Sequence, residues 1–259
     1  SRDWSSDVCS SDLMSQKLLF TSESVSEGHP DKLCDQISDA ILDSCLASDP
    51  KSRVAVETLA TEERIVIAGE ITSNAKPDYE KIARDVLRKV GYLTPESGIG
   101  ADSCTIEVHI KNQSNDIARG VDSSFDTKEI GAGDQGMMFG YASDETANLM
   151  PLPIVMAHKL VRYASVLRHE GKLPHSRPDM KAQVTIDYTN KEEPRIDTVV
   201  FSCQHDEEID IEHLRKMIKE DVILPVAISF GMNTDFKMLI NPTGRFVTGG
   251  PLGDTGVTG

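Results

Sequence analysis

The residues best placed to do chemistry lie near the start of the sequence, in E-G-H-P-D-K at residues 27–32. Gly28 permits a tight turn and Pro30 suits the first position of a helix, so His29 and Asp31 stand side by side where a helix begins. The free N–H groups of a helix start bind anions, and a carboxylate is a ligand that Mg²⁺ accepts. A well-capped surface helix explains the same residues, so a structural start and an ion-binding site are both open.

The helix that positions these residues is predicted over 31–48, because apolar and acidic side chains each recur there every four residues. One stripe faces a core, and the other stripe carries like charges that repel each other weakly. A bound cation nearby would offset that repulsion. The apolar stripe is Leu33, Ile37, Ile41 and Cys45, and the acidic stripe is Asp31, Asp35, Asp39 and Asp43.

The remaining periodicities predict the element order β-α-β-β-α-β twice along the sequence. This order predicts the α+β class, with tandem repeats of mainly antiparallel sheet and helices on one face. The hairpin strands carry apolar residues on both alternations, so we expect their second face to be buried against another subunit. The first repeat is predicted as strand 17–25, helix 31–48, strands 53–61 and 64–72, helix 79–90 and strand 104–110. The second is predicted as strand 137–141, helix 153–170, strands 181–188 and 196–204, helix 211–222 and strand 236–240.

Composition excludes several classes of partner. The 259 residues carry 42 acidic and 27 basic side chains, a net charge of -15, which disfavours binding to nucleic acid or to anionic membranes. Five cysteines with no C-x-x-C pair are typical of a reducing, cytoplasmic protein. No apolar run reaches the length of a membrane span. We expect Met14 to be the natural start and residues 1–13 to be a disordered extension.

Two glycine-rich stretches and three polar positions have competing interpretations. G-x-G-x-x-G at residues 131–136 follows a charged loop and precedes a strand-like run, the reverse of a dinucleotide-binding context, so it is either a structural turn or a ligand wall that includes Asp134. Five glycines at 248–259 around Asp254 favour close approach of the backbone to a ligand. Glu57 and Glu70 are either outward-facing strand residues or inward carboxylates that need a cation. The R-F pair at 245–246 fits either a packed turn or a ring that stacks on a base beside a phosphate-binding guanidinium.

Five stretches of this sequence resemble, in order and spacing, motifs of the S-adenosylmethionine synthetase (methionine adenosyltransferase) family. The resemblance runs from about residue 18 to residue 259. The stretches are F-T-S-E-S-V-S-E-G-H-P-D-K, G-E-I-T, G-A-G-D-Q-G, I-N-P-T-G-R-F and G-G-P-x-G-D-x-G-V-T-G.

The resemblance implies an enzyme that forms S-adenosylmethionine from ATP and L-methionine. The methionine sulfur attacks C5′ of ATP and expels intact triphosphate, which is then cleaved to pyrophosphate and phosphate. The family also implies two Mg²⁺ ions, K⁺, and a homodimer or dimer of dimers with active sites at the subunit interface.

The resemblance also implies roles for particular residues. The catalytic residues are His29, Lys181 and Asp254. The ATP-binding residues are His29, Asp134, Asp179, Lys181, Arg245, Phe246 and Asp254. The methionine-binding residues are Glu70, Gln113 and Asp254. The metal ligands are Asp31 for Mg²⁺ and Glu57 for K⁺.

One departure from the family affects the expected organisation. The family pattern continues beyond the final T-G with basic residues and a third repeat, whereas this sequence stops at Gly259. We therefore expect the sequence as it stands to be inactive alone; the alternative is a non-catalytic fragment or partner subunit that keeps nucleotide- and metal-binding features. The expected divisions are the extension at 1–13, a first repeat at 14–115, a mobile loop at 116–130, a second repeat at 131–247 and the start of a truncated third domain at 248–259.

Overall fold

The computed structural model describes residues 17–112 and 136–259. Its strands are β1 (Leu19–Val25), β2 (Arg53–Thr61), β3 (Arg64–Thr72), β4 (Thr105–Lys111), β5 (Ser176–Asp187), β6 (Arg195–His205), β7 (Lys237–Ile240) and β8 (Gly256–Val257). Its α-helices are α1 (Pro30–Ser48), α2 (Tyr79–Val90), α3 (Leu152–His169), α4 (Ile211–Met217) and α5 (Leu224–Ser229). A π-helical segment (Ile218–Ile223) joins α4 to α5, and single 3₁₀ turns lie at Pro95–Ser97 and Gly250–Leu252.

Local sequence accounts for the ends of the helices. The side chain of His29 caps α1 by accepting a hydrogen bond from Asp31 N. Asp78 caps α2 through Lys81 N, and Gly91 ends α2 in the left-handed conformation at φ +103°. The helix predicted over 211–222 instead contains the π-helical segment. Pro225 follows that segment and has no N–H group, so the regular α-helical hydrogen bonding cannot continue through it.

The strands form two four-stranded sheets, ordered β1-β5-β6-β7 and β4-β3-β2-β8. In the first sheet, β5 is antiparallel to both β1 and β6, while β7 runs parallel to β6. In the second sheet, β2 is antiparallel to both β3 and β8, while β4 runs parallel to β3. The α+β class with mainly antiparallel sheets is therefore confirmed.

Each sheet takes one strand from the other half of the sequence. Strand β1, which the sequence assigns to the first repeat, pairs with β5, from Leu19 opposite Asp187 to Val25 opposite Lys181. Strand β8 returns to the second sheet, where Val257 lies opposite Leu59. The periodicity predicts a strand but not its partner, which long-range packing selects. This exchange joins the two sheets through the turn between β1 and α1.

The prediction of a strand over 137–141 is wrong. These residues have no regular secondary structure. Met138 and Phe139 are 88% and 89% exposed. An apolar, strand-forming composition cannot stabilise a strand that lacks a neighbour to pair with.

Helices cover one face of each sheet. Helix α3 packs on β1 and β5, while α1 packs on β2 and on α2. Along β2, Val56 and Ala60 are buried beneath α1, whereas the alternating residues Ala55 and Glu57 are exposed. No helix among the described residues is both long and apolar enough to cross a membrane.

Candidate active site

A cavity of about 360 Å³ lies where the start of α1, strand β5 and the glycine-rich segment (residues 248–254) meet. It unites residues that are far apart in the sequence. Its lining is His29, Pro30, Asp179, Lys181, Ser202, Asn241, Thr243, Phe246, Thr248, Gly249, Gly250, Gly253 and Asp254. A larger depression of about 1110 Å³ between α4, α5 and β7 contains none of the predicted site residues.

His29 lies at the N-cap of α1 with its side chain 20% exposed. Its Nδ1 atom accepts a hydrogen bond from Asp31 N at 3.3 Å. In a neutral imidazole this leaves the proton on Nε2, which is then available to donate to an anion. The Asp31 carboxylate accepts from Val257 N at 3.1 Å and lies beside the cavity rather than in its lining. Asp31 therefore ties β8 to the helix start.

Asp179 is the buried carboxyl group of the cavity, with 8% of its surface exposed. Its Oδ2 atom accepts a hydrogen bond from Gly250 N at 2.9 Å. Burial raises the pKa of Asp179, and the carboxylate of Asp254 adds to that rise, while the Gly250 N–H and the charges of His29 and Lys181 oppose it. The cavity thus brings two carboxyl groups and two basic groups together.

Lys181 lies two residues after Asp179 on strand β5, and its side chain makes only a weak ion pair. Its Nζ atom lies 3.6 Å from Glu23 Oε1, and both side chains are about half exposed. An exposed pair of this kind contributes little energy. Lys181 is therefore free to turn towards an anionic ligand.

Two glycines allow the backbone to approach the other cavity walls. A side-chain carbon at Gly249 would lie 2.9 Å from Cε2 of Phe246. Gly250 has φ +59°, and a side-chain carbon there would lie 2.4 Å from the hydroxyl oxygen of Tyr92. The backbone of Phe246 is anchored, because Phe246 N donates to His205 Nε2 at 3.0 Å. These contacts explain why this wall needs glycine.

Sequence reasoning missed Asn241 and the fully buried Tyr92. Asn241 is 2% exposed with φ +42°, and its amide exchanges hydrogen bonds of 2.8 and 2.9 Å with the backbone of Cys203. Tyr92 donates to the carbonyl of Gly28. The N-P-T-G turn was a signal for Asn241, but nothing near Tyr92 in the sequence indicates its position behind the cavity.

Three predicted site residues lie elsewhere. Glu57 and Glu70 lie on the open face of the second sheet, where Glu70 Oε1 is 3.3 Å from Lys111 Nζ. Arg245 is exposed and pairs with Glu207 at 2.6 Å. Gln113 and Asp134 lie outside the described residues, as do the predicted loop at 116–130 and the extension at 1–13.

The described residues hold no cluster of three or more histidine, cysteine, aspartate or glutamate side chains that could bind a metal ion alone. A magnesium ion bound by one carboxylate and by ligand phosphates requires no such cluster. The donor set beside the cavity therefore fits magnesium only together with a phosphorylated ligand.

The fold and the cavity define an α+β protein with a mixed-charge, glycine-walled cavity between two sheets. The family model of the S-adenosylmethionine synthetase N-terminal domain matches residues 17–115, and that of the central domain matches residues 129–246. The chain is 59% identical over 241 residues to S-adenosylmethionine synthase of Mesoplasma florum, covering 93% of this chain and 63% of that relative. It is 50% identical over 251 residues to S-adenosylmethionine synthase of Clostridium botulinum, covering 94% of this chain and 64% of that relative.

The chain belongs to the S-adenosylmethionine synthetase family, of which it carries the N-terminal and central portions. It spans 63% of the length of the Mesoplasma florum relative.

Proposed function

We propose that this chain carries the nucleotide-binding part of a methionine adenosyltransferase, which forms S-adenosylmethionine from ATP and L-methionine. The observation that supports this most is the single cavity that unites His29, Asp179, Lys181, Phe246 and Asp254. These residues come from three of the motifs that resemble the family and from strand β5. Residues that served only local turns would not be expected to line one cavity.

The reaction breaks the bond between C5′ and the triphosphate oxygen as the sulfur–C5′ bond forms, and water then cleaves the triphosphate to pyrophosphate and phosphate. No protein nucleophile is needed, so the protein aligns the reacting atoms and stabilises the negative charge that leaves. His29 Nε2–H and the Lys181 ammonium are the donors for the triphosphate. In this proposal the Phe246 ring stacks on the adenine, and Asp254 contacts both substrates.

The metal ions are assigned by the same proposal. Asp31 and the triphosphate oxygens would hold Mg²⁺, with two ions expected, and the bound ions would neutralise charge on the triphosphate. Glu57 is the proposed K⁺ ligand. The acidic balance of the chain supports this assignment, because its basic residues are outnumbered.

The methionine site is proposed to be completed by a second copy of the chain. Glu70, Gln113 and Asp254 are the proposed methionine contacts, but Glu70 lies on the open sheet face rather than in the cavity. A homodimer, or a dimer of dimers, would bring such a face to the cavity of its partner. The four described cysteines are free and buried, which supports a reducing, cytoplasmic location.

The test is a hybrid in which residues 17–259 replace the matching segment of the Mesoplasma florum relative. With ATP, methionine, Mg²⁺ and K⁺, the hybrid should form S-adenosylmethionine, measured by mass spectrometry, and its His29→Asn variant should form far less. The unaltered relative is the control. A folded hybrid without product, beside an active relative, would contradict the proposal.

A further inference from the structure

A largely buried arginine outside the cavity connects the turn before His29 to two helix ends. The Arg168 side chain, at the end of α3, is only 11% exposed. Its Nη2 atom donates to Glu27 Oε1 at 2.6 Å and to the carbonyl of Val90, the last residue of α2, at 2.7 Å. The same Glu27 oxygen lies 2.8 Å from His169 Nε2. Glu27 precedes His29 by two residues.

The backbone of this turn is held separately from the Glu27 side chain. Ser26 N donates to Met180 O at 2.9 Å, and Gln36 Nε2 donates to the carbonyl of Glu27 at 2.8 Å. A side-chain carbon at Gly28 would lie 2.3 Å from Pro178 Cβ, so the turn is pressed against β5. These bonds fix the turn to β5 and α1, and Tyr92, just beyond α2, donates to the carbonyl of Gly28. The Glu27 side chain adds the link to the ends of α2 and α3 through Arg168, with His169 beside it.

The Arg168–Glu27 pair differs from the exposed ion pairs of the chain. Its two side chains are 11% and 23% exposed, whereas those of Lys181 and Glu23 are 45% and 55% exposed. Exposed pairs contribute little, but loss of one partner from a largely buried pair leaves a charge without compensation. Truncating Arg168 would therefore disturb Glu27 and the turn that carries it.

We propose that Arg168 is a positioning residue that acts through Glu27 to aim the His29 imidazole into the cavity. This role rests on the proposed function, in which His29 contacts the triphosphate. A displacement of about 1 Å at such a contact can reduce a rate by about 100-fold. Arg168 does not line the cavity, so its effect on binding is expected to pass through the position of His29.

The experiment compares Arg168→Met and Arg168→Lys with Arg162→Met, which alters an exposed arginine six residues earlier on the same helix. The first readout is the imidazole NMR signal of His29 in the histidine-labelled chain, assigned by its disappearance in His29→Asn. The second readout is the affinity for magnesium tripolyphosphate. Thermal melting checks that each variant is folded.

Arg168→Met should shift the His29 signal and weaken tripolyphosphate binding about 10- to 100-fold. This is the loss in affinity expected when one charge-assisted hydrogen bond to the ligand is lost. Arg168→Lys should lie between Arg168→Met and the unaltered chain, because the ammonium keeps the charge beside Glu27 but lacks the rigid planar geometry that places Nη2 between Glu27 and Val90. Glu27→Gln should add little to Arg168→Met, since the two residues act in series.

An unshifted His29 signal in folded Arg168→Met would overturn the positioning role. An additive loss in the Glu27→Gln, Arg168→Met double variant would overturn the path through Glu27. If the His29 signal shifts but the unaltered chain binds no tripolyphosphate, the proposed function fails, and the assigned role fails with it. If Arg162→Met weakens tripolyphosphate binding as much as Arg168→Met does, the loss would reflect the removal of one positive charge, and the positioning role would be overturned.

Discussion

Replacing Tyr92 with Phe removes one hydroxyl group from behind the cavity and keeps the shape of the side chain. Tyr92 is fully buried, and its hydroxyl donates to the carbonyl of the buried residue Gly28. Burial is the main reason that the pKa of Tyr92 stays well above its ordinary value, so the hydroxyl keeps the proton that it donates. The hydroxyl also lies against the backbone of Gly250. One atom therefore supports the two loops that border the cavity.

The size of the effect follows from the burial of both partners. A typical hydrogen bond contributes about 0.5 to 1.5 kcal/mol, and a buried group that loses its partner costs about 1 to 3 kcal/mol. Because phenylalanine cannot replace the donor and the site is closed to bulk water, we expect a loss of about 1 to 3 kcal/mol in unfolding free energy. For a chain of this length, each kcal/mol lowers Tm by about 2 to 4 °C.

Thermal and urea unfolding of Tyr92→Phe measure this loss, with Tyr141→Phe as the matched control. Tyr141 is 77% exposed, so removal of its hydroxyl should leave Tm unchanged. Affinity of Tyr92→Phe for an ATP analogue should also fall, because the Gly28 and Gly250 loops are both released. Equal Tm values for Tyr92→Phe and the unaltered chain would refute the reasoning that this hydroxyl holds the two loops.

Three further variants test single residues of the cavity. His29→Asn should preserve Tm but slow S-adenosylmethionine formation by the hybrid by roughly 100-fold or more, as for the loss of one preorganised contact to developing charge; turnover equal to that of the unaltered hybrid would contradict this role. Phe246→Ala should weaken ATP binding by about 1 to 3 kcal/mol with much less effect on methionine, whereas equal losses for both substrates would mark a packing residue. The raised pKa of Asp179 means that the folded chain holds this proton more tightly than the unfolded chain, so its ionisation lowers stability as pH rises from about 4 towards the folded pKa. Asp179→Asn should lack that decline in urea titrations across pH, and an unchanged pH profile would count against the burial argument.

The sequence predicts the identity and order of most elements because their periodicities are local. Both hairpin strands and α2 have the bounds that the periodicity of their apolar residues predicts. The exchange of β1 and β8 between sheets could not be read from those patterns, since pairing depends on contacts more than a hundred residues apart. At 137–141 the sequence predicts a strand that does not form, because these strand-forming residues have no neighbouring strand to pair with and remain exposed.

The residues of the candidate site likewise divide into those that the sequence predicts and those that it does not. Motif resemblance predicts His29, Asp179 and Phe246, which the fold brings into one cavity, but it gives no sign that Tyr92 and Arg168 support that cavity from behind. Both residues act through backbone carbonyls or a neighbouring carboxylate. Such roles depend on three-dimensional placement and leave no spacing in the sequence.

The central claim is that the cavity binds the triphosphate and base of ATP, and calorimetric titration with a non-hydrolysable ATP analogue and Mg²⁺ tests it most directly. The control variant is Lys216→Met, in the larger depression between α4, α5 and β7. We predict binding of one analogue per chain, weakened by His29→Asn and by Phe246→Ala and unchanged by Lys216→Met. No binding to the folded chain, or binding that Lys216→Met weakens and His29→Asn does not, would contradict the claim.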